Sequence, residues 1–245
     1  RKAMSNASPT SGTAPMTGEP ARLVKCETND LEVPADAESI IEGEICPDYK
    51  VEEGPFGEYT GYRTSPRDFR VTFRVNCITY RNNATMTISN MGVPQDEGQL
   101  LRSFSLGLEL EKLLKSQGIP ITGVYMHPRS THHMMIVGVK PTYSGIASQI
   151  AQLAFGSKLG PWFHMVVVVD DKTDIYNWNE VYHALCTRCH PANGIHIYKN
   201  TTGTPLYPFA TPHERKHSIG SKVLFDCLWP LEWDPVNEVP TTVSF

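Results

Sequence analysis

The chain has 245 residues and a net charge of −4, from 22 Lys and Arg against 26 Asp and Glu, with an apolar share of 40%. That length holds one large or two modest domains with a buried core, and the charge offers neither a basic face for nucleic acid nor an acidic tail. The longest unbroken apolar run, Met165 to Val169, falls far short of the ~20 residues that cross a bilayer, so no membrane segment is expected.

Residues 1–20 are Ser, Thr, Pro, Gly and Ala with few bulky apolar groups. Such a composition cannot offset the entropy of ordering, and a disordered leader is expected. It has no apolar signal region, and Cys26, Cys46, Cys77, Cys186, Cys189 and Cys227 lie mostly within strand-like or helix-like runs. Both features suit reduced thiols and a cytoplasmic setting.

From residue 21 to 95 the pattern is of strands. Leu23 to Glu27 and Ser39 to Ile45 are short β-like runs, and Phe69 to Tyr80 alternates in the manner of a half-buried antiparallel strand. Thr85 to Ser89 is its expected hairpin partner, through a turn at 81–84. The loop from Gly54 to Tyr62 combines three glycines with aromatics, which suits either an ordinary ordered loop or a ligand-facing one.

Residues 96–118 read as a connecting helix with one apolar face, turned to the core and stopped at Gly118. Residues 119–198 alternate strand and helix. Strands are expected at Ile121 to Met126, His133 to Val139, His164 to Val169 and Ile195 to Tyr198, with helices at Ser144 to Ala154 and Trp178 to Cys186, the latter capped by Asn177. Residues 199–245, rich in Pro, Thr and Gly, are expected to be irregular.

Glu27 and Glu32 stand five residues apart across Thr28-Asn29-Asp30. A straight strand would send them to opposite faces, so they can share a pocket only if the chain bends, which this turn-forming triplet permits. Paired carboxylates suit acid/base work because repulsion and burial can keep one protonated. The other reading is a surface loop with solvated acids. Lys140, at a strand end, is either a phosphate partner or a solvated lysine. His127, His132 and His133 crowd the same region, with poor metal spacing, since an adjacent pair on a strand points to opposite faces. Cys186-Thr187-Arg188-Cys189-His190 has the spelling of a haem attachment site, but it closes an apolar-periodic helix and reads as a helix end.

The run KCETNDLEVPADAESIIEG, then GPFGEYTGY, EGQLLRSFSLGLELEKLLKSQGIPITGVYMHP, HHMMIVGVK, VVVVDDKTDIYNWNEVYHAL and GSKVLFDCLWP together resemble the UbiD-type decarboxylases, over about residues 20 to 235. These enzymes use prenylated FMN to add or remove carboxylate on aromatic and unsaturated acids. The resemblance implies an α+β chain: a partial antiparallel split β-barrel, the C-terminal part of a flavin-binding domain, followed by an α/β oligomerisation layer of a homodimer or higher homo-oligomer. It implies that Glu32 donates the proton, that Glu27 pairs with an arginine, and that Lys140 reaches the cofactor phosphate. It also places the loop from Gly54 to Tyr62 as a wall beside the two acids.

The family's arginine, and the Asn/His/Glu group that holds its divalent metal (Mn), K+ and cofactor phosphate, belong to an N-terminal half without a counterpart here, so no metal ligand is assigned in this chain. Substrate would be an aromatic or α,β-unsaturated carboxylic acid, with the histidines leaning toward hydroxylated benzoates. The second expectation is a catalytically incomplete fragment that only folds and self-associates.

Overall fold

A computed structural model describes residues 22–64, 66–89, 91–92 and 94–241. The leader expected at 1–20 lies outside the described residues. The chain divides into two compact units: one runs to Gly54 and resumes from Arg67 to Ile88, and the other holds Pro55–Pro66 and the residues from Ser89 onward. The loop from Gly54 to Tyr62, read above with the strands, thus falls almost wholly in the second unit.

In the first unit, β1 (Leu23–Lys25) and β2 (Glu32–Pro34) form an antiparallel hairpin that pairs Leu23 with Pro34 and Lys25 with Glu32. β3 (Ser39–Glu53) and β4 (Asp68–Tyr80) form a long antiparallel ribbon. The partner of β4 is therefore β3, not Thr85 to Ser89, which has no regular structure. Glu38 explains the difference, because its carboxylate accepts from Thr85 N–H (2.8 Å) and Arg81 Nη1 (3.0 Å) and ties the chain after β4 back to the start of β3. β3 runs past its expected end through bulges at Glu42/Gly43 and Cys46/Lys50. At Gly43 a Cβ would lie 2.1 Å from the Arg74 carbonyl oxygen, so the close approach requires glycine. The alternation of β4 marks antiparallel pairing correctly, yet Phe69, Val71, Phe73 and Val75 remain 47–59% exposed rather than half-buried under a second layer.

The second unit is built on a five-stranded sheet. Its strands are β5 (Ile121–Met126), β6 (Met134–Val139), β7 (Met165–Asp170), β8 (Ile195–Thr202) and β9 (Ile219–Asp226), in the order β5-β6-β7-β9-β8. The inner three are parallel and both edges antiparallel. Around the sheet lie α1 (Glu97–Ser116), α2 (Ile146–Gly156), α3 (Trp178–Thr187) and the short α4 (Pro212–His217). Val166, Val168, Met135 and Leu224 pack with α1 and α2 on one face, and Ile136, Val167 and Val169 with α3 on the other. Burial on both faces is why the inner strands read as unbroken apolar runs.

Residues 199–226, expected to be irregular, instead carry the end of β8, α4 and β9, a strand seated between β7 and β8, while 227–241 hold no helix or strand. The segment Ile219-Gly220-Ser221-Lys222 shows no apolar alternation, which hides the strand. Lys222 is nevertheless 2% exposed. Its ammonium donates to the carbonyls of Gly160 and Phe163 and lies 5.2 Å from the centre of the Phe155 ring.

α1 begins where expected. Asp96 accepts from Gln99 N–H (2.8 Å) while Gln99 Oε1 accepts from Asp96 N–H (3.1 Å), a reciprocal cap. Its single-face reading is corrected, because Gln99, Ser103, Leu106, Gly107, Leu110 and Leu114 are buried while Leu100, Leu101, Phe104 and Leu108 are exposed. Close packing decided this: a Cβ at Gly107 would touch the Val124 carbonyl at 3.4 Å, so the helix lies tight on β5, and Gln99 Nε2 donates to the Tyr59 carbonyl at 2.5 Å. No helix among the described residues is long and apolar enough to cross a membrane. Replacing the cap, Asp96→Ala, should lower the stability of the chain by about 1 kcal/mol in urea denaturation; an unchanged midpoint would show that the cap contributes nothing.

Candidate active site

The hairpin loop bends where its sequence permits. Cys26 N–H donates to the Leu31 carbonyl (2.9 Å), and Leu31 N–H donates to Asn29 Oδ1 (2.8 Å) in a local side-chain turn. Glu27 leaves one end of this loop and Glu32 re-enters β2 at the other, opposite Lys25. Both side chains are exposed, and neither forms an ion pair among the described residues.

The residue that sets this loop was missed in the sequence. Glu42, 4% exposed on β3, accepts from Glu27 N–H (2.8 Å), Thr28 N–H (2.8 Å), Thr28 Oγ1 (2.6 Å) and Asn29 Nδ2 (3.3 Å). The Thr28 hydroxyl foremost, then the Glu27 N–H, hold its carboxyl below the usual range against the opposing effect of burial. The only signal was an acid set among Ile40, Ile41 and Gly43 on an apolar strand. Glu42→Gln turns an amide NH₂ toward donors, so the Glu27 and Thr28 amides should exchange with solvent about tenfold faster by NMR. Unchanged exchange would remove Glu42 from this role.

Lys140 follows β6 in the second unit, as expected. Its N–H donates to the Pro120 carbonyl (3.0 Å), while its side chain is exposed and free of ion pairs among the described residues. His127 borders a cavity of about 580 Å³ with Tyr125, Arg129, Met134 and Trp178. Burial, helped by the Arg129 charge, lowers its pKa.

His132 and His133 precede β6 rather than lying on it; Thr131 and His132 adopt positive φ, which turns both rings inward. His132 Nε2 lies 3.3 Å from the Gln99 carbonyl, and His133 packs against His164 (5.1 Å between ring centres) and Tyr207 (5.0 Å). His164 and Tyr207 were not singled out in the sequence: the pairing of β6 with β7, which aligns Met134 with Met165, brings His164 beside His133, and Tyr207 comes from the distant segment after β8. Among the described residues no group of three or more His, Cys, Asp or Glu could hold a metal ion.

The haem-like spelling is a helix end. Arg188 closes α3 and binds Asp170 (3.0 Å), and His190 Nδ1 accepts from the N–H groups of Ala192 and Asn193.

Burial, then the neighbouring His164, pushes His133 down to about 3, and burial with the Lys222 charge pushes His164 to about 4. In the unfolded chain both titrate near ~6.5. Between these limits the unfolded chain binds more protons, so this contribution to stability is complete above the ordinary value and is lost as pH falls toward 4 and 3. The loss is at most roughly 1.4 kcal/mol per pH unit for each ring. Stability measured from pH 7 to pH 5 should therefore fall more steeply in the unaltered protein than in His164→Phe; equal slopes would contradict it.

Comparison with known proteins gives the class. Residues 10–94 match the Rift-related domain of 3-octaprenyl-4-hydroxybenzoate carboxy-lyase, and residues 99–227 match the C-terminal domain of that same enzyme. The chain belongs to the UbiD family of carboxy-lyases. It is 30% identical over 227 residues to ferulic acid decarboxylase 1 of Saccharomyces cerevisiae, covering 89% of this chain and 45% of that protein. It superposes with a TM-score of 0.82 at 28% identity on the open form of vanillic acid decarboxylase from Sedimentibacter hydroxybenzoicus, over 95% of this chain and 49% of the other. An evolved dimeric form of the UbiD-class enzyme HmfF from Pelotomaculum thermopropionicum, in complex with prFMN, gives a TM-score of 0.71 at 29% identity, over 91% and 47% of the two chains. The chain thus spans about half the length of the relatives it matches.

Proposed function

We propose that this chain supplies the C-terminal part of a carboxy-lyase that removes, and in reverse adds, the carboxylate of an aromatic or α,β-unsaturated acid. The hairpin carries the reading: two exposed carboxylates stand at the ends of a loop locked from beneath by Glu42. The matches over both domains, and the ferulic and vanillic acids named for its relatives, support this over a module that only self-associates.

Prenylated FMN is the proposed cofactor, in line with the prFMN named for the HmfF structure, and the donors present fit it. Lys140 offers an exposed ammonium without an ion pair among the described residues, suited to a phosphate. The bound flavin would supply the electron sink that takes up charge as carbon dioxide departs. Glu27, exposed and without an ion pair among the described residues, is suited to accept a bidentate arginine from the rest of the whole protein. Glu32 would carry a proton for part of the cycle and deliver it from a carboxyl oxygen to the carbon that lost its carboxylate.

The uncovered row of Phe69, Val71, Phe73 and Val75 on β4 is proposed as part of a split flavin-binding barrel, and the sheet of the second unit as a self-association layer. The divalent metal and K+ would be held by ligands outside this chain. In the full-length enzyme, Glu32→Gln should abolish carbon dioxide release while leaving flavin absorbance bound to the protein. Turnover like that of the unaltered enzyme would end the assignment of Glu32.

A further inference from the structure

The short helix α4 carries the run His213-Glu214-Arg215-Lys216-His217. Histidines four apart lie one turn above the other on the same helix face, and here the two ring centres are 4.3 Å apart with both side chains exposed. His217 Nδ1 lies 2.9 Å from the His213 carbonyl oxygen. That oxygen only accepts, so Nδ1 carries the hydrogen, and in the neutral ring Nε2 keeps its lone pair. A bond of this kind to a backbone carbonyl is what fixes the tautomer and orientation of histidines that ligate metals. Among the described residues no hydrogen bond occupies the ring of His213.

The helix is tied down at both its start and its middle, which keeps the pair in place. Glu214 Oε2 accepts from Thr211 N–H (2.7 Å) and Thr211 Oγ1 (2.9 Å), and Thr211 Oγ1 accepts from Glu214 N–H (3.3 Å), a reciprocal cap. The Arg215 guanidinium donates to the carbonyls of Ala210 (3.1 Å), Pro205 (2.5 Å) and Pro208 (3.0 Å), which binds α4 to the segment before it. The same contacts select the chemistry. The spelling is that of zinc peptidases, in which the acid serves as general base beside a metal held by a third ligand. Glu214 is instead committed to Thr211, whose N–H foremost holds its carboxyl below the usual range, and no third ligand completes a cluster among the described residues. That leaves two imidazoles and no hydrolytic machinery. Mg²⁺ and Ca²⁺ call for oxygen ligands, whereas imidazole nitrogen suits Cu²⁺, Ni²⁺ and Zn²⁺.

We propose that His213 and His217 form a surface site for a divalent transition metal of the Cu²⁺, Ni²⁺ and Zn²⁺ group, with one nitrogen of each ring as ligand and water in the remaining positions. It is separate from the hairpin acids and from the divalent metal that the proposed function leaves to ligands outside this chain. The exposed Lys216 beside the pair opposes a cation, so the site binds by nitrogen donation rather than by net charge, while the C-terminal end of α4 offsets part of that repulsion.

The test titrates the full chain with Ni²⁺, Zn²⁺ and Mg²⁺ by calorimetry and follows the histidine ring ¹⁵N signals by NMR as Zn²⁺ is added. The signals of His213 and His217 should move together at the first additions, ahead of that of His183, an exposed histidine on α3. Mg²⁺ should bind at least about a hundredfold more weakly than Ni²⁺. His213→Ala and His217→Ala each reduce a two-bond chelate to a single bond, so each should weaken Ni²⁺ at least about tenfold. Alanine favours helix, so neither change threatens α4. His183→Ala should leave the affinity unchanged. The proposal is overturned if the two ring signals stay still or move apart, if Mg²⁺ binds as tightly as Ni²⁺, if affinity survives in both alanine variants of α4, or if His183→Ala weakens it as much as they do.

Discussion

A single carboxylate, Glu42, organises the first unit. It is withdrawn from water with no cationic partner among the described residues, a placement that is costly unless its oxygens are satisfied by hydrogen bonds. The loop satisfies them with two backbone N–H groups, a hydroxyl and an amide. Because the acceptor is charged these bonds are of the stronger kind, and they fix the conformation from Glu27 to Asn29 relative to β3. The bulge at Gly43, where β3 crowds the Arg74 carbonyl, lies next to the same residue. The candidate chemistry at Glu27 and Glu32 thus depends on a third acid whose role is to accept.

The two units handle apolar surface in opposite ways. The second covers its parallel strands on both faces, with α1 and α2 on one side and α3 on the other. The first presents Phe69, Val71, Phe73 and Val75 largely uncovered. Full burial of one such side chain is worth roughly 1.5–3 kcal/mol, so a row of four left open forgoes a sizeable share of stabilisation. That is in keeping with a chain that spans about half the length of its relatives.

The interior of the second unit holds a buried lysine on β9. Lys222 enters β9 with carbonyl acceptors and aromatic rings for company, and burial pushes its pKa down to about 8. The nearby imidazoles stay neutral because a second buried charge would find no counter-ion there. Neutral rings can donate or accept according to tautomer, whereas Lys222 can only donate.

Local order was largely legible in the chain. Period-2 alternation identified β4, the Asn177 cap and Gly118 bounded helices, the unbroken valines of β7 announced burial on both faces, and Thr-Asn-Asp announced the bend between Glu27 and Glu32. These signals arise from contacts within a few residues, so the sequence carries them directly. Three decisions lay beyond it: that β4 pairs with β3, that α1 buries Gln99 and Ser103 in preference to Leu101 and Phe104, and that β9 inserts beside β7 despite Lys222. Each turns on which distant group supplies the last hydrogen bond or close contact: Glu38 for Thr85, Tyr59 for Gln99, Gly160 for Lys222. Glu42 became visible in the same way, because a buried polar atom is defined by partners that only the folded chain brings within reach.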